Sequence, residues 1–291
     1  MNKIVECVPN FSEGQDQKII NAIFGAAKVD GVKVFELEHN KDHNRMLFTI
    51  VGEPEQVVAS AFESIKVATK LIDMEKHKGE HPRIGATDVV PFVPVSGVSM
   101  EECVELAREL GKKVGDELGI PAFLYEEAAT RPENRNLADV RKGEYEGLKI
   151  KMGKPDFGPD KMHASAGAVV IGARKYLVAY NVNLDTPDVE IAKKIAAKVR
   201  EKDGGLTAVK ALGFLVDGFA QVSMNLVDFE KTNFDAAFNA VEKEAEALGV
   251  KVRSSEIYGM IPLESLIKAV KSTFKAETFK SDQVLEKRLF E

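Results

Sequence analysis

Apolar positions in the first half of the chain alternate between two spacings. Short β-branched or apolar runs predict strands, and longer runs with an apolar residue every three to four positions predict amphipathic helices. The first half therefore has the predicted order β-α-β-β-α-β-α-β. Its predicted strands are 4–8, 32–37, 46–51, 89–95 and 122–125, and its predicted helices are 18–28, a long helix opened by Pro54, and 100–118.

The same order returns after residue 176. The predicted strands are 177–182, 208–216, 220–227 and 250–257, and the predicted helices are 189–199 and 234–248. The Asp217-Gly218 pair predicts a tight turn between the two middle strands. The order β-α-β-β-α-β is that of the split βαβ, or ferredoxin-like, arrangement. We therefore predict a mixed α/β (α+β) protein with two ferredoxin-like subdomains, residues 1–178 and 179–291. Helices on one face of each sheet would leave the other face free to meet a partner sheet or to line a groove.

The stretch between the halves, residues 126–159, is polar and rich in turn-forming residues. Long irregular segments inside a compact domain are usually functional or mobile. We expect one of these two roles here. The charged tail after Phe274 is expected to be either a helix or a frayed end.

The amino-acid composition argues against two classes of binding partner. The 291 residues include 40 Lys and Arg and 46 Asp and Glu, which gives a formal net charge of −6. Because there is no basic excess and no polybasic run, we expect neither nucleic acid nor a membrane surface as a partner. The N-terminus lacks the layout of a signal peptide, and no apolar run approaches membrane-spanning length. Cys7 and Cys103 are expected to be buried, reduced thiols. These features predict a cytoplasmic protein.

Residues 77–81 match H-x-x-E-H, the zinc signature of inverted zincins. That signature needs a helix that places both imidazoles on one face, one turn apart. Gly79 weakens such a helix, and Pro82 disfavours it at His81. A zinc hydrolase built on His77 and His81 is therefore the more remote interpretation of this segment.

His81 lies at the predicted junction between the long helix and the next strand. Lys78, Glu80 and Arg83 surround it with charges of both signs. It could face a cleft as an acid/base residue, with Glu80 or a backbone carbonyl fixing its tautomer. It could equally be an exposed histidine after a helix C-terminus, where a cation is mildly favoured. The residue pattern alone favours the exposed surface histidine.

Other motifs carry less information. His39, Asp42 and His43 could bind a metal in a loop, but the polarity of a solvated hairpin explains them better. The small residues of 164–172 would allow a flat ligand to approach closely, or would form a tight turn into a buried strand. Residues 156–158 match the kinase Asp-Phe-Gly by chance, because the rest of the kinase set is missing. The sequence has no GxGxxG, P-loop or GxSxG motif.

Several segments together resemble the formiminotransferase domain of formimidoyltransferase-cyclodeaminase. They include VECVPNFSEG (5–14) and HKGEHPR (77–83), which are long enough to be specific. Further matching segments are 44–45, 71–74, 156–159, 172–175 and 181–184. The resemblance covers nearly the whole chain. It implies two α/β subdomains with an elongated folate groove between them, in a homodimer.

The resemblance also implies an activity. The family transfers a formimino group from N-formimidoyl-L-glutamate to N5 of tetrahydrofolate, which acts as a co-substrate. The histidine of the family's H-P-R motif is the catalytic acid/base and corresponds to His81. The segment leading into G-A-R-K is associated with folate binding. It corresponds here to His163, Ala164, Ser165, Ala166, Gly167, Ala168, Gly172 and Arg174.

The chemistry of this reaction suggests further residues. One histidine can take a proton from the folate amine and give it to the departing glutamate nitrogen. Glutamate carboxylates need cationic partners, for which Arg45, Arg83 and Arg174 are candidates. Asn10 is a candidate hydrogen-bond partner of the amidine or the pterin. Glu38 lies where the family has an acid, more usually Asp. No metal is expected.

Three alternatives remain besides the formiminotransferase interpretation. A formyl donor, N-formylglutamate, differs from the formimino donor by one hydrogen-bonding group, and the sequence does not separate the two. The second is the zinc hydrolase described above. The third is a non-catalytic ferredoxin-like binding module. Bifunctional members of the family carry a further cyclodeaminase domain, so we expect the product to pass to a separate cyclodeaminase.

Overall fold

Two β-sheets divide the chain, and each has its own hydrophobic core. The computed structural model describes residues 3–290. Its two compact units separate between Arg174 and Lys175. The sequence placed the boundary after residue 178.

The first unit contains a seven-stranded sheet. Its strands are β1 (Ile4–Cys7), β2 (Asn10–Phe11), β3 (Val32–Asn40), β4 (Arg45–Gly52), β5 (Thr87–Ser96), β6 (Ala122–Glu126) and β7 (Val169–Ala173). Its α-helices are α1 (Gln17–Ala26), α2 (Pro54–Leu71), α3 (Met100–Lys113), α4 (Leu137–Val140) and α5 (Glu144–Ile150). A π-helical turn, Val114–Leu118, extends α3.

Four strands form the ferredoxin-like part of this sheet. Their spatial order is β3-β4-β1-β5, and all three pairings are antiparallel. β2 follows β1 and lies between β4 and β5. β5 then pairs in parallel with β7, and β7 pairs in parallel with β6. α3 crosses over from β5 to β6, as a parallel arrangement requires.

Local sequence signals explain where the three long helices of this unit begin. The Asp16 carboxylate accepts hydrogen bonds from the first turn of α1, and Pro54 occupies the first position of α2. At α3, the Ser99 hydroxyl accepts from the Glu102 backbone N–H, and the Glu102 carboxylate accepts from the Ser99 N–H. This capping box satisfies backbone donors that a helix end otherwise leaves unpaired.

The segment 126–159 is more ordered than the sequence predicted, because it contains α4 and α5. Apolar side chains of these helices pack on a cluster that includes Phe123, Tyr125 and Val170. The polar composition of the segment hid this packing, since these short helices contribute only Leu137, Val140 and Leu148 to the cluster. On the opposite face of the sheet, α1, α2 and α3 cover the main core, where Cys7 and Cys103 lie buried as free thiols.

The second unit is a four-stranded antiparallel sheet in the order β11-β8-β10-β9. Its core lies between the sheet and α6 and α7. On the other face of the sheet, Gln221 donates to Asn183 and Asn183 donates to Glu256. The edge strand adds exposed apolar side chains to that face: Leu212, Phe214 and Val216. Its elements are β8 (Val178–Leu184), α6 (Val189–Val199), β9 (Val209–Val216), β10 (Phe219–Leu226), α7 (Phe234–Ala247), β11 (Val252–Tyr258), α8 (Leu263–Phe274) and α9 (Leu285–Phe290).

The predicted fold class is confirmed: each unit contains a βαββαβ set in the ferredoxin-like strand order. The predicted strands and helices match the observed ones, with small differences at their ends. None of the helices formed by residues 3–290 has the length and hydropathy needed to cross a membrane.

Candidate active site

His81 lies in a loop, not in a helix. α2 ends at Leu71, and residues 77–82 have no helical conformation. The loop packs against the β3–β4 turn, where the Glu80 N–H donates to the Asp42 carbonyl over 3.2 Å. A Cβ on Gly79 would lie 2.3 Å from the His43 carbonyl oxygen, so only glycine fits this contact. The imidazole centroids of His43 and His81 are 6.0 Å apart as a result.

His77 has both ring nitrogens engaged. Its Nε2 lies 2.9 Å from the Asn44 carbonyl oxygen and therefore donates to it. Its Nδ1 accepts from Arg83 Nε over 3.3 Å. The H-x-x-E-H segment thus lacks the helical spacing that a zinc pair needs, and His77 has no free lone pair to offer a metal. Within residues 3–290 no group of three or more His, Cys, Asp or Glu side chains is arranged to hold a metal ion.

His81 has a defined tautomer. Its Nδ1 lies 2.7 Å from the Pro82 carbonyl oxygen, which can only accept, so Nδ1 carries the proton and Nε2 keeps its lone pair. Burial and then the positive charge of Arg45 lower the pKa of His81 from 6.5 to about 4. The hydrogen bond to Pro82 opposes this shift, and Arg141 adds to it. His81 is therefore neutral at pH 7 and can accept a proton at Nε2.

A buried carboxylate organises the cationic side chains near His81. Asp88 in β5 is fully buried, and its Oδ2 accepts from Arg45 Nη1 over 2.7 Å and from Arg141 Nη2. Its Oδ1 accepts from the Ile84 backbone N–H over 3.0 Å. Burial alone would raise the pKa of Asp88, but the charges of Arg45 and Arg141 outweigh it and lower that pKa. Asp88 is thus an ionised carboxylate shared by two arginines.

Asn10 completes the environment of Arg45. Arg45 Nε and Nη2 donate to Asn10 Oδ1 over 3.1 and 2.9 Å, and Asn10 Nδ2 donates to the Val8 carbonyl. Strand register places Glu38 near them, because Leu47 pairs with both Asn10 and Glu38. Directly paired residues point to the same face of a sheet. Asn10, Glu38 and Arg45 therefore share one face, and Glu38 is exposed on it.

Arg83 is engaged by the protein itself. Its Nη1 donates to Glu144 and Glu146, and its Nη2 donates to Glu146, all within 2.9 Å. With the bond from Nε to His77, Arg83 donates four hydrogen bonds. The sequence suggested Arg83 as a partner of a substrate carboxylate. In the structure this buried guanidinium instead joins the His81 loop to α5.

The small residues of 164–168 allow two backbone segments to pack against each other. The Ala86 N–H donates to the Ala166 carbonyl and the Ala168 N–H donates to the Ile84 carbonyl, over 2.9 and 3.1 Å. Gly167 has a φ of +73°, and a Cβ there would lie 2.5 Å from the Ile84 oxygen. Inside the turn, His163 Nδ1 accepts from the Ala166 N–H. The turn-into-strand interpretation of this run is thus observed, with Ala164 exposed and Ser165 half-buried.

Gly172 and Arg174 lie at the end of β7. A Cβ on Gly172 would lie 2.4 Å from the Tyr125 ring, so glycine allows the two strands to pack closely. Burial raises the pKa of Tyr125 to about 12, and a hydrogen bond with Arg174 opposes the shift. Arg174 is also anchored through its backbone N–H, which donates to Phe92 over 3.0 Å. Gly172 and Arg174 are thus tied to neighbouring strands.

Sequence reasoning missed Asp88 and Arg141. A signal for Asp88 was present, because it is an acid inside the apolar run of β5, and a buried carboxylate needs a partner. Arg141 follows α4 in the polar segment and shows no periodic signal. Only the tertiary packing of that segment brings Arg141 to Asp88.

Family models match both units of the chain. The model described as "Formiminotransferase domain, N-terminal subdomain" matches residues 4–174, and the model described as "Formiminotransferase domain" matches residues 179–288. Together the two matches span both ferredoxin-like units.

Full-length relatives agree with the family models. A Streptococcus pyogenes protein named glutamate formimidoyltransferase is 46% identical over 297 residues and covers 99% of each chain. A Thermoplasma acidophilum protein of the same name is 47% identical and covers 98% of this chain and 97% of its own. A mouse protein named formimidoyltransferase-cyclodeaminase is 44% identical over 92% of this chain, which corresponds to 52% of the mouse protein. The chain belongs to the formiminotransferase domain family.

Proposed function

We propose that this chain transfers the formimino group of N-formimidoyl-L-glutamate to N5 of tetrahydrofolate, giving 5-formimidoyltetrahydrofolate and L-glutamate. The names of the full-length bacterial and archaeal relatives support this activity. The observation that carries it is the hydrogen bond from His81 Nδ1–H to Pro82, which leaves the Nε2 lone pair without a donor among residues 3–290. The lowered pKa of His81 keeps this imidazole neutral. That is the form in which a histidine begins a proton transfer.

The proposed reaction forms one carbon–nitrogen bond, breaks another, and moves one proton from N5 to the glutamate nitrogen by way of His81. N5 of tetrahydrofolate attacks the amidine carbon, which forms a carbon–nitrogen bond and a tetrahedral intermediate. His81 Nε2 takes the proton that N5 must lose and gives it to the glutamate nitrogen. The bond between that nitrogen and the former amidine carbon then breaks, and the C=N bond reforms. General acid/base catalysis of this kind contributes roughly 10²–10⁴-fold to the rate.

The low pKa of His81 fits this role when the substrate is included. An imidazole with a pKa of about 4 is a weak base in the empty site. The causes of the shift are burial and the cations Arg45 and Arg141, so a bound anionic substrate would raise the pKa again. Proton transfer is most efficient when the pKa lies near the working pH. The site would thus become most basic when the donor is bound.

The remaining site residues have proposed roles of different kinds. Glu38 is exposed on the same sheet face as Asn10 and is our candidate for an acid that contacts the amidine or the pterin. Ala164 and Ser165 are the accessible members of the folate-associated run, and Ala166, Gly167 and Ala168 are buried behind them. We assign Arg83 a positioning role, because its donors already hold α5.

The experiment that tests the activity uses two donors in parallel. Purified protein is mixed with tetrahydrofolate and either N-formimidoyl-L-glutamate or N-formyl-L-glutamate, and the folate products are identified by mass spectrometry. We expect 5-formimidoyltetrahydrofolate from the first donor. If only N-formyl-L-glutamate gives a product, then the donor in this proposal is wrong and the formyl compound takes its place. If neither donor gives a folate product, the proposed one-carbon transferase activity is contradicted.

We further propose a cytoplasmic homodimer that acts in histidine degradation and one-carbon metabolism, with no metal in the reaction. These points follow from the family resemblance. Light scattering on the purified protein tests the oligomeric state: a homodimer has twice the chain mass of 31.9 kDa. A particle of the single chain mass would contradict it.

A further inference from the structure

Arg45, Arg141 and Asp88 form a cluster beside His81 that carries two positive charges and one negative charge. Arg45 and Arg141 both bond to the same oxygen of one carboxylate, Asp88. The side chains of Arg45 and Arg141 are only 10% and 13% exposed, and the Asp88 carboxylate is fully buried. Since His81 is neutral, one positive charge of the group is uncompensated within the cluster. A cation withdrawn from water in this way favours an anionic ligand.

Arg141 has more unused donors than Arg45. Arg45 donates from Nε, Nη1 and Nη2 to Asn10 and Asp88. Arg141 donates only from Nη2 among the hydrogen bonds seen in residues 3–290, and its Nε is buried without a partner. Arg83, by comparison, donates four hydrogen bonds. A guanidinium with open donors beside a shared carboxylate is suited to bind a second carboxylate in bidentate fashion.

We propose that Arg141 binds the α-carboxylate of the one-carbon donor and so selects an N-substituted α-amino acid over an N-substituted simple amine. This inference rests on the proposed function. In the donor, the α-carboxylate is attached to the carbon that bears the reacting nitrogen. A cation next to His81 is therefore placed for this carboxylate, because His81 must deliver its proton to that same nitrogen.

The chemistry of Arg141 also distinguishes it from the other arginines. Arg45 is fixed in the sheet by Asn10, so it provides charge with few donors left. Arg141 follows α4, outside the sheet, and among residues 3–290 the one hydrogen-bond partner of its side chain is Asp88. A bound α-carboxylate would accept from guanidinium N–H groups of Arg141 that Asp88 leaves unused. It would also neutralise the excess charge that lowers the pKa of His81.

The test compares two donors that differ only in this carboxylate. N-formimidoyl-L-glutamate carries it, and N-formimidoyl-4-aminobutyrate lacks it but keeps the distal carboxylate. We expect the wild-type kcat/KM to be roughly 10- to 150-fold higher for the glutamate donor, the range for hydrogen bonds to a charged group. In Arg141→Gln this ratio should fall to about 1, with the KM for tetrahydrofolate changed little. Arg135→Gln is the matched control, because Arg135 is an exposed arginine of the same segment.

The outcomes separate this inference from the proposed function. If the wild type is active and Arg141→Gln keeps the full preference for the glutamate donor, Arg141 is not the carboxylate partner. If the wild type uses both donors equally, the inference is wrong even should Arg141→Gln fail to fold. Absence of transfer by the wild type would contradict the proposed function. Calorimetry with L-glutamate and 4-aminobutyrate then tests Arg141 without turnover: loss of glutamate binding in Arg141→Gln supports the inference, and unchanged binding overturns it.

Discussion

Arg45 and Asp88 join β4 to β5 across β2, with 2.7 Å between Arg45 Nη1 and Asp88 Oδ2. The other oxygen of Asp88 accepts from the backbone of Ile84, in the loop that carries His81. One buried carboxylate therefore links the sheet, the His81 loop and, through Arg141, the segment after α4. Asp88 thus anchors the backbone of the His81 loop at Ile84.

Asp88→Asn should destabilise the protein strongly. The change leaves Arg45 and Arg141 buried with no anion between them, and breaking a buried pair in this way costs about 3–5 kcal/mol. Urea unfolding followed by circular dichroism measures the loss. Asp116→Asn is the control, because Asp116 pairs with Lys112 on the surface and such pairs contribute about 0–1 kcal/mol. Equal losses in the two variants would show that Asp88 does not hold the site together.

The titration of His81 should lie well below that of an ordinary histidine. Burial and Arg45 lower its pKa from 6.5 to about 4, so the folded state resists protonation between these values. Between these two pH values the unfolded chain binds more protons than the folded chain. The contribution of His81 to the free energy of unfolding therefore increases as the pH rises from about 4 to 6.5, and it is lost as the pH falls through this range. NMR of the His81 ring protons measures the midpoint, which should rise when L-glutamate is added. A midpoint near 6.5 in the free protein would contradict the buried, cation-flanked site.

Arg83→Gln should loosen α5. Arg83 is the partner of Glu144 and Glu146, and its buried guanidinium joins α5 to the His81 loop. We expect faster amide hydrogen exchange over 144–150 and a loss of about 1–3 kcal/mol in the free energy of unfolding. Arg108→Gln provides the comparison, since Arg108 pairs with Glu105 at the surface of α3. Unchanged exchange over 144–150 would mean that α5 is held by its apolar contacts alone.

Gly167→Ala should be much more harmful than Gly119→Ala. Both glycines have a positive φ, +73° and +65°, so both substitutions carry the backbone cost of a left-handed conformation. A Cβ on Gly167 would also meet the Ile84 oxygen at 2.5 Å, whereas nothing lies within 4 Å at Gly119. We expect about 1 kcal/mol of destabilisation for Gly119→Ala and clearly more for Gly167→Ala in thermal unfolding. Similar losses would show that the two backbone segments have room to separate.

The fold was predictable because its signals are local. β-branched runs and Pro54 each depend on neighbouring residues, and the strands and helices that they predict are observed. The candidate site was only partly predictable. His81, Arg45 and Asn10 lie in segments with family motifs, whereas the contact between Asp88 and Arg141 joins residues far apart in sequence. Such a contact follows from how α4 packs on the sheet, which periodicity does not encode.

Arg83 also shows that the partners of a charged residue cannot be predicted from local sequence. Its position beside His81 suggested a substrate contact, but its partners are Glu144 and Glu146, which lie in a polar segment with weak helical periodicity. The charge of an arginine is visible in the sequence, but whether that charge is already neutralised by the protein depends on tertiary structure.

The most direct test of the account is the rate of formimino transfer in His81→Gln. Wild type and variant are mixed with tetrahydrofolate and N-formimidoyl-L-glutamate at pH 7, and the initial rate of 5-formimidoyltetrahydrofolate formation is measured. Because glutamine keeps a polar side chain but transfers no proton, we predict an initial rate roughly 10²–10⁴-fold lower with the fold intact by circular dichroism. A folded His81→Gln variant with the wild-type rate would contradict a reaction centred on His81.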